Sequence, residues 1–587
     1  MEGLSVQNGR LTSGAKAPVN RTLSARLKSS PDGSTSAALA VLSGLLLVFS
    51  FPKFDLYPLS AVALAPLIFV TGREVKPGRR FLWGGLAGFV FFAGTSTWIY
   101  TVMRDFGGLG VAAAGGVLGL LCFILSLYWG CFAWLAGYLW QSRRQSQRGP
   151  GRKGWGPVAI PFLWVALELA RAHLFTGYPW LLLGYALTDY PGIARVASWT
   201  GVYGLSFLLI SLNLAWAWLF LERPTEHPAT RTLPKASVSY AAVLLAATLL
   251  LHFTARDETY AEDQTAFLVQ TNIPQEVAFT PWTPEAQRPL FDRLELLTLD
   301  AVRRQDPPAL VVWPEMPASF YFYDDGFTRP FMEGIARQTN SFFLTGVVAF
   351  VPGSNRTQPL NSNVLLAPSG EVLAQYDKIH LVPFGEYIPW SQWLGFAESL
   401  TAESGDFVSG SRYVVTEILG GPPPAGAPPA AAANAVSGPQ ALLSQGVGGQ
   451  GGRMSSIICY EAIFPELSRR FVQEGAEVLV NISNDGWFGN SAARFQHLLM
   501  ARMRAIENAR YLLRTTNTGI TVVVRPDGQI ASEIPPDRPG VLEGRWSFRN
   551  RRTVYTRYGD WFAYGASLAA VLALLAARGR KRPHRTQ

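Results

Sequence analysis

Eight long apolar runs constrain the fold of this 587-residue chain more than any other feature. Crossing the hydrocarbon core of a bilayer takes about 20 apolar residues. Charged residues make up only 16% of the chain, against about 25% in ordinary globular domains, which indicates lipid-buried segments. The sequence therefore predicts a polytopic α-helical membrane bundle with about eight spans. The runs cover residues 36–53, 56–72, 81–103, 108–140, 156–176, 197–221, 236–254 and 559–577.

Lys and Arg gather in alternate loops between these runs. Basic clusters precede the first run, follow the second, fourth and sixth runs, and follow the eighth, whereas the first two alternate loops hold only Lys53 and Arg104. Positively charged loops stay mostly on the cytoplasmic side of a membrane. The alternation predicts that both termini lie in the cytoplasm and that residues 255–558 lie on the outer face.

The composition along the chain predicts five regions. Short β-branched runs separated by amphipathic stretches, including a predicted helix over 492–512, indicate an α/β layered domain between the seventh and eighth spans. Residues 420–452 carry no charge and are rich in Gly, Pro and Ala, so they are predicted to form a flexible insertion in that domain. The predicted regions are a disordered cytoplasmic tail (1–34), a seven-span bundle (35–255), the layered domain (256–558), a final span (559–577) and a basic cytoplasmic tail (578–587).

Charge and cysteine content exclude several functions. The net charge of +10 lies in the tails and short loops, with no basic stripe interleaved with aromatic residues, so nucleic-acid binding is not expected. Cys122 and Cys131 share one apolar run and are predicted to be packing residues. The layered domain holds a single cysteine, Cys459, so it has no disulfide. Metal-ligand spacing is absent from the sequence, and no cofactor is expected.

Three segments place reactive residues at the ends of predicted strands. They are ALVVWPEMP with Glu315, QYDKIHLVPFGEYIPW with Lys378 and Glu386, and MSSIICYEAIFPE with Cys459. Taken singly, these residues have ordinary explanations as a turn carboxylate, surface charges and a buried thiol. However, an unpaired thiol on the outer face is exposed to oxidation, so its presence favours a function.

A thiol, a carboxylate and an amine together indicate acyl transfer. The thiolate attacks a carbonyl, the carboxylate moves the proton, and the ammonium stabilises the tetrahedral intermediate. Cys459 lies at a strand-to-helix junction, where helix-start N–H groups favour a thiolate. No histidine is well placed for a Cys–His arrangement, since His380 lies near Lys378 and the other motifs lack one.

The ordered set of Glu315, Lys378 and Cys459 resembles the carbon–nitrogen hydrolase (nitrilase) superfamily, whose members use a Glu–Lys–Cys triad on a four-layer α-β-β-α sandwich. With the membrane spans added, the chain resembles the apolipoprotein N-acyltransferases, the membrane enzymes that complete bacterial lipoprotein acylation. Four further segments carry this resemblance: GYPWLLLGYAL at 177–187, VQTNIPQ at 269–275, the stretch 481–519, and the final span.

The resemblance implies roles for individual residues. Cys459 is expected to be the nucleophile, Glu315 the general base and Lys378 the oxyanion stabiliser. Six more residues match family positions beside the triad, at the acyl-binding pocket or on its mobile cover: Glu386, Glu461, Tyr460, Trp487, Phe488 and Trp282. Extra residues (EVAFTP) precede Trp282, where the sequence departs from the family pattern. Arg504, Glu507 and Arg510 lie at helical spacing and are predicted to form structural ion pairs.

The implied activity is a two-step acyl transfer at the outer (periplasmic) face of a bacterial inner membrane. Cys459 would take an acyl chain from a phospholipid, and the free amine of an S-diacylglyceryl cysteine at a lipoprotein N-terminus would then accept it. Two alternatives remain open at this point. One is a membrane-anchored nitrilase-type amidase acting on a small soluble amide, and the other is a non-enzymatic lipoprotein-binding or sorting protein.

Overall fold

A computed structural model describes most of the chain. The described residues are 32–146, 156–221, 235–253, 259–260, 262–275, 284–305, 308–316, 320–323, 326–389, 407–418 and 451–579. Trp282, nearly all of the predicted insertion, and most of both predicted tails lie outside these residues. The first helix among the described residues begins at Gly33, where the Asp32 side chain accepts a hydrogen bond from the Thr35 N–H and caps the helix.

Each of the eight apolar runs contains a helix. The first seven runs hold α1 (Gly33–Phe49), α2 (Ala65–Arg73), α3 (Pro77–Thr95), α4 (Thr97–Asp105), α5 (Val111–Ser146), α6 (Ile160–His173), α7 (Val202–Leu221) and α8 (Lys235–Phe253). By length and composition, three helices among the described residues could cross a bilayer alone: Val111–Ser142, Val202–Leu221 and Trp561–Arg578. Together α3 and α4, which meet at a 51° bend, would make a fourth. The count of about eight spans stays a prediction.

Small residues let the helices of the bundle approach closely. A Cβ on Gly84 of α3 would lie 2.3 Å from the backbone oxygen of Trp129 and 2.6 Å from the Ala133 side chain, both on α5. Packing of this kind is typical of helices that associate in membranes. Proline shapes the second run, where Pro66 starts α2 and leaves it only 9 residues long.

Two six-stranded sheets form the layered domain. The strands are β1 (Gln264–Gln270), β2 (Leu310–Val312), β3 (Phe342–Phe350), β4 (Pro359–Leu366), β5 (Val372–Asp377), β6 (Thr416–Ile418), β7 (Gly452–Ile458), β8 (Val478–Ser483), β9 (Leu512–Thr516), β10 (Thr521–Val524), β11 (Ile530–Ile534) and β12 (Gly540–Trp546). Their orders are β12-β1-β2-β3-β4-β5 and β11-β10-β9-β8-β7-β6. The helices are α9 (Pro284–Ala301), α10 (Thr328–Thr339), α11 (Pro465–Gln473), α12 (Ala493–Asn508) and α13 (Val554–Tyr558), and α14 (Trp561–Gly579) follows the domain.

Alternating side chains along β1 show how the layers stack. Phe267 and Val269 belong to the core shared with α9 and α10, whereas Ala266 and Leu268 belong to the core shared with the second sheet, α11 and α12. The Thr515 hydroxyl of the second sheet donates to the Val269 carbonyl at 2.9 Å, which joins the two sheets. The predicted α/β layered domain of nitrilase type is therefore confirmed.

The helix predicted over 492–512 is too long. It ends at Asn508 because Ala509 adopts a left-handed backbone conformation with φ 52°, and residues 512–516 form β9. Arg510 consequently lies beyond the helix, and its guanidinium donates to the carbonyls of Ala476 and Arg551. Among the described residues its hydrogen bonds go to backbone carbonyls, so the predicted pairing of Arg510 with Glu507 at helical spacing does not form.

Helix α12 also attaches the layered domain to the bundle. Arg504 and Glu507 form the predicted ion pair at 3.1 Å, and both side chains are fully buried. Arg504 also donates to the Tyr185 hydroxyl at 3.1 Å, and Glu507 accepts a hydrogen bond from the Val202 N–H at the start of α7. The Arg504–Glu507 pair therefore connects the layered domain to the bundle.

Candidate active site

The structure brings Glu315, Lys378 and Glu386 together in a buried cluster. Glu315 follows β2 after two residues, and Lys378 follows β5 directly. The Lys378 ammonium lies 3.2 Å from Glu315 Oε1 and 2.8 Å from Glu386 Oε1. Although burial opposes its charge, the two carboxylates raise the pKa of Lys378 above its usual value. Lys378 is therefore a fixed ammonium between two carboxylates.

Two residues that sequence reasoning missed orient this cluster. The Asn361 amide on β4 donates to Glu315 Oε1 at 2.9 Å and to Glu386 Oε1 at 2.7 Å. The Asn484 N–H donates to Glu315 Oε2 at 2.9 Å. Both Glu315 oxygens therefore have fixed partners, so the carboxylate is held in one orientation. Asn484 lies in the segment 481–519 noted above, whereas nothing in the sequence distinguishes Asn361.

Cys459 directly follows β7 and begins a short 3-10 helix, Cys459–Ile463. Its backbone is left-handed, with φ 49°, and its side chain is buried. Burial and the Glu315 carboxylate raise the pKa of the thiol, and the Lys378 ammonium lowers it only in part. Burial and the nearby carboxylate therefore favour the neutral thiol over the thiolate. The thiol needs a base.

Glu461 organises the backbone on both sides of the cluster. Its Oε1 accepts hydrogen bonds from the Tyr376 hydroxyl and the Ile379 N–H, both at 2.7 Å, and its Oε2 accepts one from the Ile458 N–H at 2.7 Å. Burial raises its pKa to about 7, while these hydrogen bonds act in the opposite direction. Glu461 thus links the residues next to Lys378 with the residue before Cys459.

The predicted pocket residues lie where the layered domain meets the bundle. Tyr460 is buried, with its ring 5.2 Å from that of Phe464. Trp487 packs edge-on against Phe106, which follows α4, at 5.2 Å. Phe488 packs against Trp98 of α4 at 5.1 Å. The bundle therefore contributes aromatic residues beside the site. Trp282 lies outside the described residues.

Gly346 in the middle of β3 permits the backbone of Glu315 to approach. A Cβ there would lie 2.6 Å from the Met316 nitrogen and 2.9 Å from the Glu315 Cα. Gly346→Ala should displace Glu315 and lower the rate of acyl transfer by about 10²-fold, since misplacement by 1 Å costs that much. Overpacking should also reduce the free energy of unfolding by about 1–3 kcal/mol.

Transfer kinetics and thermal unfolding of the purified variant check this expectation for Gly346. The matched control is Gly334→Ala on α10, where an added Cβ meets no atom closer than 3.9 Å. Gly334→Ala should keep wild-type activity. An unchanged rate in Gly346→Ala would contradict the importance of this close approach.

The layered domain matches a known sequence family, which identifies the class of protein. The sequence family described as carbon–nitrogen hydrolase matches residues 266–549, so this part of the chain is a carbon–nitrogen hydrolase domain. The family described as apolipoprotein N-acyltransferase N-terminal domain matches residues 43–215, which hold most of the bundle.

Similar proteins identify the family of the whole chain. A protein of Geobacter metallireducens named apolipoprotein N-acyltransferase is 36% identical over 93% of this chain and 96% of its own length. One of the same name from Methylococcus capsulatus is 31% identical over 92% of this chain and 96% of its own. A solved nitrilase-superfamily structure from Saccharomyces cerevisiae, 16% identical, covers 50% of this chain and 93% of its own with a TM-score of 0.35. On the sequence matches, the chain belongs to the apolipoprotein N-acyltransferase family.

Proposed function

We propose that this N-acyltransferase moves an acyl chain from a membrane phospholipid, through a thioester on Cys459, to the N-terminal amine of an S-diacylglyceryl-cysteine apolipoprotein. Membership of the family supports lipoprotein N-acylation as the activity. The observation that carries the proposed chemistry is the buried Lys378–Glu315 pair, at 3.2 Å, whose charges both act on the Cys459 thiol.

In the first step Glu315 takes the proton from Cys459, and the sulfur attacks the ester carbonyl of the phospholipid. Lys378 stabilises the negative charge that develops on the carbonyl oxygen. The carbon–oxygen bond to glycerol then breaks. Glu315 returns the proton to the departing alkoxide, which leaves as a lysophospholipid, and the acyl chain remains on sulfur.

In the second step the free α-amino group of the diacylated lipoprotein attacks the thioester. The carbon–sulfur bond breaks, an amide forms, and the proton from the amine returns to the Cys459 sulfur through Glu315. Water competes with the amine for the thioester, so the site must exclude it. Aromatic side chains from both parts of the chain, such as Phe488 and Trp98, are suited to that task.

We propose the same membrane placement that the sequence predicts. The chain keeps the five predicted regions, about eight helices span the membrane, and the layered domain lies on the outer face. Exposed aromatic residues at the start of α14 and on the neighbouring part of the bundle support a membrane–water interface at that level. They are Tyr558, Trp561, Tyr564 and Trp199, exposed by 69%, 47%, 60% and 63%. The Trp561 indole N–H donates to the Trp199 carbonyl at 2.9 Å, which ties α14 to the bundle. Both lipid substrates would then reach the site along the bilayer surface.

Mass spectrometry of the acyl-enzyme tests the proposal. Purified protein in detergent, given a phospholipid with isotope-labelled acyl chains, should gain one labelled chain on the peptide that contains Cys459. One lysophospholipid should be released per adduct, and a synthetic diacylated lipopeptide should then discharge the label. Cys131→Ala should keep the adduct. Absence of an adduct on Cys459, or ammonia release from a small amide without phospholipid cleavage, would refute the proposal.

A further inference from the structure

The backbone at Cys459 is strained, and its neighbours must hold it in place. A non-glycine residue with a left-handed backbone costs on the order of 1–3 kcal/mol and persists only where its surroundings determine it. Before Cys459, the Ile458 N–H donates to Glu461 Oε2 at 2.7 Å. After it, the Cys459 carbonyl lies 3.1 Å from His497 Nε2. His497 therefore holds the C-terminal side of the strained residue.

The partners of His497 determine which ring nitrogen carries the proton. Its Nδ1 lies 3.2 Å from a guanidinium nitrogen of Arg514 and 3.2 Å from Asp485 Oδ1. Burial and the Arg514 charge lower the pKa of His497, while the Asp485 carboxylate raises it. A carbonyl oxygen only accepts hydrogen bonds, so the Nε2 that meets the Cys459 carbonyl carries a hydrogen in either charge state of the ring. His497 is therefore a donor to the Cys459 carbonyl.

A residue from the bundle fixes the plane of this ring. Trp180 stacks on His497 with ring centres 6.1 Å apart and an interplanar angle of 25°. The Trp180 indole N–H donates to Gln496 Oε1 at 2.8 Å, and Arg171 of α6 donates to the Trp180 carbonyl at 2.8 Å. Arg171 also donates to the Tyr178 carbonyl at 3.1 Å. Arg171 and Gln496 therefore hold Trp180, which lies in the loop after α6, against His497.

We propose that His497 is a positioning residue for acyl transfer. Its Nε2–H holds the Cys459 carbonyl and so keeps the nucleophile in the left-handed backbone conformation that the structure shows. Trp180 holds the imidazole, so the bundle takes part in shaping the site. This inference rests on the proposed role of Cys459 as the nucleophile.

Two substitutions at position 497 separate hydrogen bonding from packing. His497→Gln places an amide N–H near the position of Nε2, whereas His497→Asn places one near Nδ1, too short to reach the Cys459 carbonyl. Both variants are polar and face Asp485 and Arg514 in the full-length protein. His173→Asn on α6, whose ring meets the Leu169 carbonyl of its own helix at 3.0 Å, is the control.

The measured quantity is the maximal rate of labelled acyl-enzyme formation from phosphatidylethanolamine in detergent, as a function of phospholipid concentration. His497→Asn should lower that rate by about 10²-fold without changing the half-saturating concentration. His497→Gln should stay within about tenfold of the wild type, and His173→Asn should match it.

Equal rates in the Gln and Asn variants, whether both normal or both reduced, would overturn the proposal, because only the Gln variant restores the bond. If one variant fails to fold, His497→Leu is measured instead. A wild-type rate in His497→Leu would overturn the proposal, and a rate below that of His497→Gln would support it. Wild-type protein that forms no adduct on Cys459 would refute the proposed function instead, which distinguishes the two failures.

Discussion

Cys459→Ser is expected to abolish acyl transfer to a diacylated lipopeptide and to leave the protein folded. A hydroxyl is a far weaker acid than a thiol, and the site already opposes ionisation, because burial and the Glu315 carboxylate raise the pKa of Cys459. A serine alkoxide would be still less accessible there. Removing a nucleophile from a catalytic triad typically lowers kcat by about 10⁶-fold, so the loss should reach at least about 10⁴-fold.

Two measurements check the expected loss in Cys459→Ser. Release of lysophospholipid should fall with lipopeptide acylation, since one thioester serves both steps. Thermal unfolding should change little because sulfur and oxygen occupy similar space. The matched control is Cys131→Ser on α5, a thiol outside the layered domain. Normal transfer by Cys459→Ser would show that another group carries the acyl chain.

The sequence predicted the reactive residues because strand ends are visible in it. Glu315 and Cys459 each follow an apolar run, and residues at such ends converge at one edge of a sandwich, whereas Lys378 follows β5, which is not an apolar run. The bonding partners were not predictable in this way. Asn361 lies within β4 and meets Glu315 46 residues away, and His497 lies within α12 and meets Cys459 38 residues away. Such contacts exist only in the folded chain.

Tertiary contacts also explain the errors in secondary structure. The strands β5, β9, β11 and β12 were not predicted, and for β12 the reason is that its place depends on pairing with a strand far along the chain. For example, Trp546 of β12 pairs with Gln264 at the start of β1. The apolar runs, in contrast, predicted where helices form, since runs of this length and hydrophobicity favour helices. Hydrophobicity does not determine helix length, and the second run contains a short 3-10 helix, Tyr57–Ala61, followed by the 9-residue α2.

Glu315→Gln should prevent thioester accumulation on Cys459 because the amide cannot accept the thiol proton. Loss of a general base typically costs about 10²–10⁴-fold, and acyl-enzyme formation should fall by that factor. Both Glu315 oxygens accept N–H donors, from Asn361, Lys378 and Asn484, so one donor would face the new NH₂ group. An unsatisfied buried group of this kind should lower the free energy of unfolding by about 1–3 kcal/mol.

The pH dependence of Cys459 alkylation distinguishes loss of the base from general damage in Glu315→Gln. The Glu315 carboxylate raises the pKa of the thiol, and the Lys378 ammonium lowers it. Removing the carboxylate while keeping the ammonium should therefore lower the thiol pKa and move iodoacetamide labelling of Cys459 to lower pH, although acylation becomes slower. Glu333→Gln, at a surface pair with Arg329, should change neither profile. Robust thioester formation in Glu315→Gln would contradict the role of Glu315 as the base. A labelling profile moved to higher pH would contradict the electrostatic coupling between Glu315 and the thiol. General disruption of the site gives no reason for the thiol to become more acidic, so a shift to lower pH would support that coupling.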